Sequence, residues 1–111
     1  MTRDISYFPI GTVVVLKDST AATVISGYLA ENTNMPGYTW DYAGFVYPIG
    51  LRDENEVYTF DHTQIEHVLA IGYQDGECFA FMNHLREVAA KMAELDDRKR
   101  AELDAEDGEH E

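Results

Sequence analysis

Val57-Tyr58-Thr59-Phe60-Asp61-His62-Thr63-Gln64-Ile65-Glu66-His67-Val68-Leu69-Ala70-Ile71-Gly72-Tyr73 carries the reading that decides the fold. Residues 57–60 are β-branched and aromatic, the composition of a short strand. Asp61 then sits where a helix cap belongs, because its side chain can accept from the free N–H groups of one helical turn over 62–66. The chain returns as a strand over 67–73. Working back towards the N-terminus, Gly11-Thr12-Val13-Val14-Val15-Leu16 reads as a central strand and Ala22 to Leu29 as a second, joined by the turn residues Lys17-Asp18-Ser19-Thr20. A loop over 31–37, rich in Asn, Pro and Gly, leads to a third strand, Tyr38 to Tyr47. Gly44 in its middle marks a bend, a bulge or close packing. Pro48-Ile49-Gly50 ends that strand, and 52–56 form a polar turn. Five short strands with one helical turn before the last predict a small five-stranded curled antiparallel sheet or SH3-like barrel.

Beyond Glu77 the period changes. Cys78, Phe81, Leu85, Val88, Met92 and Leu95 recur at three and four residues, the spacing of an a/d stripe, and Phe79, Met82 and Ala89 widen its start. The fold class is therefore α+β, a sheet followed by a long C-terminal helix. The expected units are a β-domain over 1–76, an amphipathic helix over 77–104 and a disordered acidic tail over 105–111. At 1.5 Å per residue such a helix is about 40 Å long, whereas a barrel of this size is only about 25 Å across. The Phe- and Met-rich first half can pack on the barrel. The second half overhangs, so its stripe either meets a helix of a partner protein or of a second copy, or frays after Met92.

Eight aromatic rings fall between Tyr28 and Phe60, more than so small a barrel can bury. Alternation sets Trp40 and Tyr42 opposite Phe45 and Tyr47. One set fills the core and the other offers low-entropy contact surface. Leu85, Val88, Met92 and Leu95, together with Trp40 and Tyr42, are accordingly the candidate partner-binding residues.

The chain of 111 residues carries 8 Lys+Arg against 21 Asp+Glu, a formal charge of −13. Nucleic acid and anionic membranes need clustered cations, so neither is an expected partner. The single Cys78 cannot form an intramolecular disulfide. No run approaches the length of a membrane span, and the N-terminus lacks a signal-peptide core. A cytoplasmic protein is expected. The acidity is uneven: residues 101–111 hold six acids and no Lys or Arg, which is either a solvating tail or an attraction to a basic partner.

Chemistry is sparsely provided for. His62 and His67 are five apart across a turn, not the helical i,i+4 pair that places two imidazoles on one metal. Cys78 and His84 lie six apart on the expected helix, on different faces, and Cys78 reads as a small buried hydrophobe. Asp41, Asp53, Glu54 and Glu56 are candidate acid/base partners, but three of them share one turn and read as solvated charges. The glycines show no phosphate-loop pattern. No catalytic residue, cofactor or metal site is expected, and the chain reads as a non-enzyme.

Three segments in order resemble one family. Phe8-Pro9-Ile10-Gly11-Thr12-Val13-Val14, Trp40-Asp41-Tyr42-Ala43-Gly44-Phe45-Val46-Tyr47-Pro48-Ile49-Gly50, and Phe60-Asp61-His62-Thr63-Gln64-Ile65-Glu66-His67-Val68 with Gly72-Tyr73 are similar to the motifs of domain-of-unknown-function family 4176, small proteins of Gram-positive bacteria. The resemblance covers about 8–85. Members are commonly encoded beside LXG-domain toxins of type VII secretion systems. The resemblance thus implies a cytoplasmic accessory, chaperone or targeting factor that binds a helical segment of a secreted effector. Two other readings stay open: an immunity protein that binds a toxin's catalytic domain, and a small hydrolase with a carboxylate or His62-based site. The resemblance supplies no catalytic residues. It implies turns at Gly11 and Gly50, a strand stop at Pro48, and core positions at Ile65 and Val68.

Overall fold

A computed structural model of the protein describes residues 5–109, with side chains from Ile5 to Glu94. Five strands precede one helix: β1 (Val13–Leu16), β2 (Ala22–Glu31), β3 (Thr39–Val46), β4 (Tyr58–Phe60), β5 (Ile65–Ala70) and α1 (Gly76–Glu109). Short 3-10 turns occupy Glu54–Glu56 and His62–Gln64. The five strands form one antiparallel sheet in the order β4-β3-β2-β1-β5.

That order forces the sheet to curl. β4 and β5 stand at opposite ends of it, and flat strands at about 4.8 Å spacing would put them about 19 Å apart. Only residues 61–64 join them, three of these in the 3-10 turn, and even a fully extended chain of that length reaches at most about 17 Å. The chain closes the gap only because the sheet bends round. The strand order and the turn before the last strand are those of an SH3-like barrel, as the spacing of strands and turn predicts.

Gly44 is where β3 approaches β2. A Cβ there would lie 2.5 Å from the Val24 carbonyl oxygen and 3.0 Å from a Thr23 methyl. The bulge itself falls on β2, where the register passes from Ile25↔Gly44 to Gly27↔Ala43. Gly72 makes the second close approach: a Cβ there would meet the Ile10 carbonyl oxygen at 2.1 Å. Its N–H donates to the Thr12 hydroxyl at 3.0 Å, which accounts for a wholly buried threonine in β1's approach.

The core contains Tyr7, Val14, Ile25, Tyr42, Phe60, Leu85 and Ala89, with Ile5, Phe8, Leu16, Tyr28, Leu29, Ile65 and Met82 packed against it. Two segments therefore contribute alongside the sheet: the residues before β1, and the first half of α1. Asp75 starts the helix, its Oδ1 accepting from the Cys78 N–H at 2.9 Å. The stripe turned inward runs through Cys78, Met82, Leu85, Ala89 and Met92. Phe79 and Phe81, expected to pack on the sheet, stand instead 58% and 50% exposed; Phe81 rests against the Tyr28 ring at 6.0 Å. A 34-residue helix is about 51 Å long, and it sets the 52 Å long axis of the molecule. The radius of gyration, 16.2 Å, exceeds the roughly 13 Å of a compact domain of this length. The helix is longer than the sheet it packs on, yet Val88 and Met92, expected in the uncovered half, are half-buried. Leu95 and the acidic stretch from 105 lie outside the residues whose side chains are described.

Candidate functional site

Three features could carry function: a buried polar cluster, an apolar sheet edge and a polar cleft. The cluster is built on β3 and the His62–Gln64 turn. Asp41 is 2% exposed, and a buried carboxylate needs donors to replace water. The His62 N–H donates to its Oδ2 at 2.9 Å, and the Tyr7 hydroxyl lies 3.5 Å from Oδ1. Asp61 accepts the Tyr38 hydroxyl at 2.5 Å and the Asp41 N–H at 3.1 Å, while its own N–H donates to Gln64 Oε1 at 2.8 Å. The Tyr42 hydroxyl accepts from the Phe8 N–H at 3.1 Å and lies 2.7 Å from His62 Nδ1. The imidazole is stacked between Phe8 and Tyr42, centroids 5.1 and 5.8 Å away.

Burial pushes the Tyr42 hydroxyl well above the ordinary phenol range and raises Tyr28 to about 12. Both phenols stay neutral and serve as hydrogen-bond partners: Tyr28 donates to the Phe8 carbonyl at 2.6 Å. The carboxylates of this cluster accept backbone N–H groups and hydroxyls, the work of groups that fasten segments together. Here they fasten the N-terminal segment and the 3-10 turn to β3. The turn in turn fixes how far β4 and β5 can separate.

The sheet edge is a different surface. β5 pairs only with β1, and none of its residues is buried. Val68 is 39% and Leu69 60% exposed, and beyond the strand Ile71 and Tyr73 are 53% and 81% exposed. Val68 is thus at the surface and not, as the motif implied, in the core. It lies on an edge strand with only one neighbour, whereas Ile65 at the strand's start does pack on the core. A cleft of about 520 Å³ lies between the β2–β3 loop and the first 3-10 turn, lined by Asn32, Asn34, Glu54 and Asn55 among others.

The residues expected to bind a partner are divided by the structure. Tyr42 is 0% and Leu85 4% exposed; both are interior, because Tyr42 fills the curl of the sheet and Leu85 faces it from the helix. They are corrected from surface to core. Trp40, Val88 and Met92 are half-buried, and Leu95 is outside the described side chains. Of the candidate acids, Asp41 lies in the cluster, Asp53 accepts from the Asn55 N–H at 3.0 Å, and Glu56 pairs with Arg52 at 3.2 Å. They do not converge. Cys78 is half-buried. Tyr7, Thr12 and Asp75 carry no sequence signal as polar anchors, whereas Asp61 carries one, as a cap. Among the described residues, no helix is long and apolar enough to cross a membrane, and no three His, Cys, Asp or Glu side chains are grouped to hold a metal.

Curled five-stranded sheet, capping helix and latched 3-10 turn together define a small α+β domain of SH3-like connectivity. Residues 7–81 match the family model "Domain of unknown function (DUF4176)", and the chain belongs to that family. No curated protein and no solved structure matches it.

Proposed function

We propose that this chain is a non-enzymatic, cytoplasmic accessory that binds another protein, acting as chaperone or targeting factor for a type VII-secreted LXG toxin of a Gram-positive bacterium. The observation that carries the binding role is the number of exposed apolar side chains between β5 and the start of α1. Leu69, Ile71, Tyr73, Phe79 and Phe81 are all half or more exposed within thirteen residues of chain. Isolated exposed hydrophobics are ordinary, but such a concentration in a protein with charge −13 favours an interaction surface. The family resemblance supplies the class of partner. The Asp41–Asp61–His62 cluster supports the same reading, since its groups are engaged in holding segments together.

The test is co-purification with the LXG toxin encoded beside it, using the toxin's N-terminal helical region and its C-terminal catalytic domain separately. Retention by the N-terminal region is the expected result. Retention by the catalytic domain alone would replace this role with that of an immunity protein. Retention by neither would end the proposal.

A further inference from the structure

We infer that β5 receives an extended, cationic segment of a second protein as a sixth strand of the sheet. This rests on the protein-binding role proposed above and names how the partner is held. An edge strand offers a row of backbone donors and acceptors to another strand. β5 makes its ladder with β1 alone, and among the described residues its outer edge is covered by nothing. Residues 65–70 contain no Lys, Arg or Pro, the residues that commonly deny an edge to other chains. The register against β1 passes from Val14↔Val68 to Val13↔Ala70, so Leu69 is the extra residue of a bulge and projects outward. A second shift, from Val15↔His67 to Leu16↔Ile65, leaves Glu66 as another extra residue; bulges twist an edge and limit the length of strand it can accept, so the added strand is a short one.

Charge selects the occupant. Glu66 lies on β5 itself, Asp75 and Glu77 follow the strand where α1 begins, and the chain as a whole carries −13. The edge is therefore largely apolar and belongs to a strongly anionic protein. A second copy would bring its own Glu66 and another −13 against it, so like charges oppose self-pairing. A segment alternating apolar residues with Lys or Arg meets both features: its apolar side chains lie along Leu69 and Ile71, and its cations face the acids.

The probe is a short synthetic peptide alternating valine with lysine and threonine, offered to the full chain. Its comparators are a glutamate-for-lysine analogue and a version N-methylated at alternate amides. The lysine peptide is expected to bind, slowing amide hydrogen exchange along β5. The other two peptides, and the double variant Leu69→Asp/Ile71→Asp, are expected to bind at least about tenfold more weakly. Both substituted residues are more than half exposed, so the variant should melt like the parent. Equal binding of the methylated peptide, or unchanged exchange along β5, would overturn strand addition. Equal binding of the glutamate peptide would overturn the choice of a cationic occupant. Failure to retain the toxin bears on the proposed function instead, and the two failures are read separately.

Discussion

Tyr42 is the residue on which most of the interior turns. Its ring stacks on Phe60 at 5.4 Å and meets Tyr7 edge-on at 5.6 Å, while its hydroxyl joins Phe8 to His62. Tyr42→Phe keeps the ring and leaves the Phe8 N–H without its acceptor, so it should cost about 1–3 kcal/mol in a denaturant titration. The alkaline limb follows from the same burial. For Tyr42 and Tyr28 the folded state holds its proton above the ordinary phenol value of 10.0. Their stabilising contribution is complete below pH 10 and is lost as pH rises towards 12 and beyond, because only the unfolded state ionises readily there. Stability should fall across that window, and tyrosinate absorbance should show Tyr28 and Tyr42 ionising above the ordinary phenol range. Gly44→Ala places a methyl 2.5 Å from a backbone oxygen and should destabilise by about 1–3 kcal/mol or more. Gly44 was legible as a bend, a bulge or close packing, and close packing is what its contacts show. Tyr42's was not: alternation shows which residues share a face, but not which face turns inward.

At the scale of elements, α1 and β5 depart from their expected roles in opposite directions. The helix stripe was legible as apolar at positions three and four apart, yet its inner face is Cys78, Met82, Leu85 and Ala89, and Phe79 and Phe81 fall outside it. A wide stripe on one helix does not reveal which edge of it meets the sheet. Leu85 touches the core, so Leu85→Ala should cost about 2–5 kcal/mol. Val88 and Met92 are half-buried, so aspartate at both should lower the denaturation midpoint, where a freely overhanging stripe would leave it unchanged. For β5, strand character was plain from Val68, Leu69 and Ile71. Its exposure was not, because edge or centre is a property of strand order, and sequence pattern alone leaves that order open.

Over the whole molecule, the curl was the most legible feature. A helical turn wedged between two short strands is a local pattern, and the short connection across the ends of the sheet makes it a global one. The contribution of Ile5, Tyr7 and Phe8 to the core was illegible, since they form no strand and their partners lie more than thirty residues away in Asp41 and Tyr42. The net charge takes on a more definite meaning once the sheet edge is known: a largely apolar edge strand, carrying Glu66, belongs to a chain of −13. The most direct measurement is the affinity of an intact LXG toxin, the partner proposed above, for the full chain and for Leu69→Asp/Ile71→Asp. The expected result is binding by the parent and at least about tenfold weaker binding by a variant that melts at the same temperature. Equal affinity in the two, or no binding by the parent, would contradict it.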